Sequence, residues 1–222
     1  MGTVDIPDRP LRKDAERNRQ RILAAAGELF AEAGLQVTLD AVAERAGVGV
    51  GTVYRRFADK EALIDALFEE RVDAVVAIAE GAYAIEDPWE ALVAFLDDAV
   101  SLHNDDRALK ELLFSTAYGR DRVAQARDRI KPVVGRLVAR AHASGHLRSD
   151  YEVSDTPVIQ LMLTAVIEYA GDIAPEVWRR YLAILLDGLR ADAARTPLAP
   201  AALTDSQLEG VMARGMSARR RS

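Results

Sequence analysis

The sequence predicts an all-α protein. Apolar side chains recur every three or four residues from Ile22 to Leu189, which is the spacing of one helix face. Glycine and proline fall where these apolar segments begin or end, as at Gly47 and Pro88. We find no alternating strand pattern, no hairpin signal and no repeat of fixed period. Half of the 222 residues are hydrophobic, so the chain can bury a sizeable core.

The first two helices are predicted from their end signals. Residues 1–11 contain two prolines and no apolar periodicity, so we expect a flexible N-terminal arm there. A helix with one apolar stripe follows from Arg12 and ends at Gly34. Thr38 offers a side-chain oxygen to the free amides of a second helix, and Gly47 stops that helix after about two turns.

The next two helices follow without a long connection. A third helix must begin within residues 48–52 and end near Phe57, because Asp59 is the next good N-cap. This helix is as short as the second one. A fourth helix runs from about Lys60 to beyond Val76 and carries its own apolar face.

The rest of the chain is predicted to form a C-terminal helical bundle, which brings the total to about nine helices. A fifth helix starts at Pro88, and a sixth is capped by Asp105 or Asp106. The segments that complete the bundle span roughly residues 122–144, 155–169 and 175–191. Residues 196–222 begin rich in proline and alanine, so we expect a partly disordered tail with a short helix at 205–214.

Composition excludes several classes of protein. The chain has no cysteine, which rules out disulfides, thiolate metal sites and cysteine nucleophiles. Its apolar runs are shorter than the ~20 residues that cross a bilayer, and its start lacks a signal-peptide pattern. We therefore expect a soluble, cytoplasmic protein. The net charge is −6, yet residues 9–61 hold ten basic and eight acidic side chains, which hints at nucleic-acid contact at that end.

The third helix has two chemically different faces. At about 100° per residue, Val53 and Phe57 share an apolar back. The opposite front carries Gly51, Thr52, Tyr54 and Arg55, with Arg56 at its edge. Two short helices joined by a glycine turn, the second with such a front, form a helix-turn-helix whose second helix enters the major groove of DNA.

The stretch "VTLDAVAERAGVGVGTVYRRFADKEALIDALF" closely resembles the DNA-binding domain of the tetracycline-repressor (TetR) family of bacterial regulators. The resemblance runs from Arg17 to Phe68, and it implies a DNA-binding domain over 12–68 with its motif at 38–57. The family often has lysine in place of Val50 and histidine in place of Arg56, which affects the base sequence that is read. By this resemblance Thr38, Tyr54 and Lys60 contact phosphates, and Val50, Gly51, Thr52 and Arg55 face the bases.

The resemblance also implies that residues 69–195 form a homodimer and hold a small-molecule effector. The last two long helices are apolar on more than one side, so one side can meet a symmetric copy; a central core helix is the alternative. The predicted dimer residues are Val158, Met162, Trp178, Tyr181, Leu182, Leu185 and Leu189. The predicted effector pocket comprises Phe95, His103, Phe114, Tyr118 and Met162.

Other kinds of site have weaker support in the sequence. "GVGVG" lacks the preceding strand and the glycine spacing of a nucleotide-binding loop. His142 and His146 have the spacing of a helical metal pair, but Gly145 interrupts the helix between them and no third ligand is evident. The prediction is a non-enzymatic regulator without metal or cofactor, most often a repressor, that binds a near-palindromic operator in double-stranded DNA. The alternative is a helical small-molecule-binding or enzymatic protein with a vestigial helix-turn-helix.

Overall fold

A computed structural model describes residues 8–33, 36–104, 119–191 and 196–218. The described residues form nine α-helices, and their one β-bridge joins Leu147 to Arg190. The helices are α1 (Asp8–Ala33), α2 (Leu39–Ala46), α3 (Val50–Arg56), α4 (Lys60–Tyr83), α5 (Pro88–Asn104), α6 (Gly119–Ala143), α7 (Asp155–Ala170), α8 (Val177–Leu189) and α9 (Asp205–Ala218). The predicted all-α class is confirmed.

Several boundaries differ from the sequence prediction. α1 begins at Asp8, four residues before the predicted start, because Pro10 falls in the first turn, where a missing amide hydrogen costs nothing. Residues 8–11, assigned to the N-terminal arm from the sequence, are therefore helical. α6 begins at Gly119, three residues before the predicted start at about residue 122. The predicted sixth helix after Asp105 lies outside the described residues.

The chain divides into two compact units between Glu70 and Arg71. In the first unit, α1, α2, α3 and the start of α4 surround one hydrophobic core. Its fully buried members include Ile22, Val42 and Val53, one from each of the first three helices. This core holds α3 by its apolar back, as the periodicity of the sequence requires.

The second unit has its own core, built from the end of α4 and from α5, α6, α7 and α8. Trp178 and Tyr151 are the largest side chains that are fully buried in it. The Tyr151 hydroxyl lies 2.8 Å from the Thr156 hydroxyl oxygen, which satisfies both buried polar groups. Arg140 of α6 donates to the backbone carbonyls of Tyr83 and Ile85 at 2.8 and 2.7 Å and so ties α6 to the end of α4.

The segment after α8 belongs to the second unit and is held by hydrogen bonds and by helix packing. Arg148 donates to the carbonyls of Gly188 and Thr196, and the Leu198 amide donates to Asp150. Further on, α9 packs against α6. The helix predicted in the tail thus exists, and it extends beyond the predicted end at 214.

None of the helices in the described ranges is both long enough and apolar enough to cross a membrane.

Candidate nucleic-acid interface

The turn between α2 and α3 is fixed by local chemistry. The Thr38 hydroxyl accepts a hydrogen bond from the Ala41 amide at 3.2 Å and caps α2, as predicted. At the other end Gly47 adopts φ 61° and ψ 41°, and its amide donates to the Glu44 carbonyl. This left-handed conformation is one that only glycine adopts without strain, so it ends α2 and redirects the chain into α3.

The recognition helix candidate α3 is apolar behind and open in front. Val53 is 0% exposed and Phe57 is 5% exposed, so both anchor the helix to the core of the first unit. Val50, the first residue of the helix, is 44% exposed, and Tyr54 on the front is 50% exposed. The front of this seven-residue helix is therefore accessible to a partner.

Arg55 lies along this front. Its Nε donates to the Gly51 carbonyl at 3.1 Å, and its Nη2 lies 3.4 Å from the Thr52 hydroxyl oxygen. The side chain is exposed, and these contacts to its own helix hold the guanidinium over the face that Gly51 and Thr52 share. A guanidinium in this place can pair with O6 and N7 of guanine in the major groove.

Two other predicted DNA-binding residues have partners within the first unit. Arg56 lies 3.8 Å from the Glu16 carboxylate of α1, in an exposed ion pair. Lys60, at the start of α4, donates to the Val37 carbonyl at 3.4 Å and makes further contacts. Lys60 therefore lies beside the Thr38 cap, and the two predicted phosphate contacts are adjacent.

Sequence reasoning missed Arg21. Its Nη2 donates to the carbonyls of Ala46 and Gly47 at 2.6 and 3.2 Å, which links α1 to the turn of the motif. The contact joins residues 25 and 26 positions apart, so no local pattern could indicate it. Arg21 instead looks like one more basic residue before the apolar stripe of α1.

The predicted dimer residues fall into three groups, of which the first, Val158 and Leu185, is partly buried. Trp178, Leu182 and Leu189 are buried within a single copy of the chain and form part of its core. Met162 and Tyr181 are exposed. Three further apolar side chains are exposed but were not predicted as dimer residues: Tyr169, Ile173 and Ile184. The wide apolar stripe of α8 pointed to Ile184.

The predicted effector residues are only partly visible. Phe95 is buried in the core of the second unit, while Met162 is 51% exposed. His103 lies in the last turn of α5, and nothing is described for its side chain. Phe114 and Tyr118 lie outside the described residues. The predicted pocket therefore stays a prediction, with one of its described side chains buried and the other exposed.

Each histidine of the predicted metal pair has a hydrogen-bonding partner. Gly145 adopts φ 73° and ends α6 just before it, as predicted. His142 Nε2 lies 3.0 Å from the Arg148 carbonyl, and His146 Nδ1 lies 3.1 Å from the Ser144 hydroxyl. Within the part of the chain that the structure describes, no three His, Cys, Asp or Glu side chains converge as metal ligands would.

Comparison with known proteins identifies two matching family models. Residues 22–67 match the model of the bacterial regulatory proteins of the tetR family. Residues 87–191 match the C-terminal domain of SbtR-like transcriptional regulators. The first match contains the whole helix-turn-helix, and the second extends from the start of α5 to just beyond α8.

Individual relatives agree with these models. A TetR transcription regulatory protein from Mycobacterium vanbaalenii is 35% identical; the match covers 82% of this chain and 99% of that one, with a TM-score of 0.63. A TetR transcriptional regulator from Streptomyces coelicolor is 33% identical, with 79% and 99% covered and a TM-score of 0.60. The HTH-type transcriptional regulator SrpR of Pseudomonas putida is 31% identical over 60% of this chain, and the chain spans 65% of that curated relative's length.

Proposed function

The chain belongs to the TetR family of bacterial regulatory proteins, and we propose that it acts as a homodimeric, ligand-responsive transcriptional repressor. Two copies of α3 enter successive major grooves of a near-palindromic operator, about 34–36 Å apart for half-sites one helical turn apart. Occupation of the operator blocks the promoter. The protein acts in the cytoplasm, where its DNA lies.

One observation carries this proposal: α3 is anchored by a buried apolar back and has an exposed front. Val53 and Phe57 fix the helix, while Val50, Tyr54 and Arg55 remain accessible on the surface of the first unit. A rigid helix with a polar and aromatic front suits direct reading of base edges.

Dimerisation is supported by the apolar side chains that a single copy leaves exposed on and beside α7 and α8. Met162 and Tyr169 lie on one side of α7, away from its buried residues Ile159 and Leu163. Ile184 lies on the corresponding outer side of α8. Two helices from each copy would bury these side chains in a symmetric four-helix interface.

Regulation requires an effector that prefers one geometry of the dimer. A ligand shifts such an equilibrium only by its differential affinity for the two states, typically about 1–3 kcal/mol of coupling. We place the effector in the second unit, among the helices that carry Phe95, His103 and Met162.

The proposal is tested by selecting duplexes from a random-sequence pool with the full chain. We expect enrichment of an inverted repeat, whose spacing reports the separation of the two α3 helices. Uniform weak binding without enrichment would instead support the vestigial alternative.

Arg55→Ala then tests whether Arg55 contacts the bases. It should cost roughly 1–3 kcal/mol on the selected duplex and relax the preference at one position in each half-site. Lys60→Gln is the comparison: it should weaken all duplexes alike and reduce the salt slope of binding by about one contact per subunit. An Arg55→Ala protein that selects the same sequences with the same preference would refute the assignment.

A further inference from the structure

Arg21 provides a contact between α1 and the turn that precedes α3. Its neighbours Ile22 and Leu23 are buried in the core of the first unit, so the arginine extends from a fixed point of α1. The guanidinium Nη2 donates to the Ala46 carbonyl at 2.6 Å and to the Gly47 carbonyl at 3.2 Å. A side chain of the first helix thus holds the end of the second helix and the start of the turn.

The two acceptors are groups that need a partner. The last carbonyls of a helix have none within the helix, and the C-terminal end of the helix carries partial negative charge. Arg21 supplies donors and positive charge to the end of α2. A Cβ atom on Gly47 would lie 2.9 Å from Arg21 Nη2, so the absence of a side chain at Gly47 is what allows this approach.

Other polar contacts of α1 with the motif are of a different kind. Arg45 of α2 pairs with Glu32 at 2.8 Å, and Arg56 of α3 pairs with Glu16 at 3.8 Å. Both contacts join one side chain to another: Arg45 bonds both oxygens of Glu32 and also Glu28, whereas the Arg56–Glu16 pair is long and exposed. Arg21 bonds to backbone atoms, so its contact constrains the path of the chain into α3.

We propose that Arg21 is a positioning residue for operator recognition, which acts by holding the Ala46–Gly47 turn and does not contact a phosphate. The inference rests on the proposed DNA-binding function. The carbonyls at the turn hold the guanidinium through Nη2 and so set the angle at which α3 leaves the turn. Removal of the contact lets α3 take other orientations, and only the fraction with the right one binds the operator well.

Two affinities separate a positioning role from a phosphate contact. Binding to a scrambled duplex depends on charge, while binding to the selected duplex also depends on the placement of α3. We expect Arg21→Gln to weaken binding to the selected duplex by about tenfold, which is the order expected for one lost charge-assisted hydrogen bond. Its affinity for the scrambled duplex should be nearly unchanged. The slope of log affinity against log salt should stay the same.

The control is Arg17→Gln, which removes one positive charge from the same helix. The Arg17 side chain is exposed, and its ion-pair partner is Asp14 within α1. Arg17→Gln therefore measures the effect of losing one charge from α1. The salt slope of Arg21→Gln is compared with the salt slope of this control. A slope that falls in Arg21→Gln by about 0.9 per subunit more than in the control, with both duplexes weakened alike, would show a phosphate contact and overturn the proposal.

Arg21→Lys and amide exchange complete the test. Lysine keeps the charge and can reach one carbonyl, so we expect it to recover part of the lost affinity for the selected duplex. In the free protein, Arg21→Gln should speed hydrogen exchange at the amides of Gly47, Val48 and Thr52 more than elsewhere in the first unit. Unchanged exchange at these amides would overturn the proposal, even if the wild-type chain selects no DNA sequence and the proposed function itself fails.

Discussion

Three glycines at alternate positions in the motif have different physical roles. Gly47 adopts φ 61°, where other residues are strained. Gly49 has φ −65° and Gly51 lies within α3, so neither needs the conformational freedom of glycine. A Cβ atom on Gly51 would meet nothing within 4 Å, and one on Gly49 would make only an ordinary contact with Thr52. The fold therefore explains Gly47, while the surface of α3 must explain Gly51.

Gly51→Ala should raise stability and lower operator affinity. Alanine is favoured over glycine within a helix by about 1 kcal/mol, so the free energy of unfolding rises by up to that amount. The added methyl group lies on the front of α3 and separates it from the bases, so affinity for the selected duplex falls. Urea unfolding and fluorescence anisotropy measure the two effects, and unchanged affinity would show that DNA does not approach this position.

Gly47→Ala is the matched control, because it adds the same methyl group in the turn, three positions before the first residue of α3. The left-handed conformation costs a non-glycine residue about 1–2 kcal/mol, and the new Cβ also displaces the Arg21 guanidinium. Its free energy of unfolding should fall where that of Gly51→Ala rises.

At the scale of helices, local signals in the sequence were enough to place the motif. The Thr38 cap, the Gly47 stop and the Asp59 cap bound α2, α3 and the start of α4 within a residue or two. Contacts between distant residues could not be predicted in this way. The hydrogen bonds from Arg21 to the turn and the packing of α9 on α6 both depend on tertiary structure, which no local pattern encodes.

The packing of α9 on α6 combines an ion pair with a buried leucine, and we predict that the leucine contributes more to holding α9. Lys131 bonds Asp205 at 2.7 Å in an exposed pair, worth about 0–1 kcal/mol, whereas Leu208 is buried. Burial of a leucine side chain contributes roughly 1.5–3 kcal/mol. Leu208→Ala should therefore expose α9 to proteolysis far more than Asp205→Asn does. Equal protection of α9 in the two variants, measured by limited proteolysis, would contradict this ranking.

The connection between α6 and α7 should make stability depend on pH in acid. The Arg148 guanidinium and the Leu198 amide hold the pKa of Asp150 well below its usual range. A lowered pKa means that the carboxylate stabilises the fold above its ordinary pKa of about 4, and that this stabilisation is lost as the pH falls toward the depressed value.

Asp150→Asn tests this dependence. The variant should be less stable than the wild-type chain at pH 7, and the difference in unfolding free energy should narrow progressively below about pH 4. Urea unfolding at several pH values measures it. A difference that stays constant down to pH 2 would mean that Asp150 acts as a neutral hydrogen-bond acceptor.

For the whole molecule, the decisive question is which apolar residues remain for a second copy. A side chain already buried in its own core adds no area to an interface, so Trp178, Leu182 and Leu189 support the dimer only by fixing α8. The residues that can bury additional area in an interface are the exposed ones, among them Tyr169, at 89% exposure, and Ile184, at 57%. The sequence showed that α8 is apolar over a wide arc, but only the packing of one copy divides that arc into core and outer face.

Ile184→Glu should convert the dimer to a monomer, because the interface would have to bury an unpaired charge on both sides of its two-fold axis. Ala183→Glu introduces the same charge one residue earlier, at an exposed position about 100° around α8, and should leave the dimer intact. Light scattering coupled to size exclusion measures the mass of each variant. The Ile184→Glu monomer should also lose most of its affinity for the inverted repeat, since a single α3 contacts one half-site. A dimer that persists in Ile184→Glu but dissociates in Ala183→Glu would place the interface on the other face of α8.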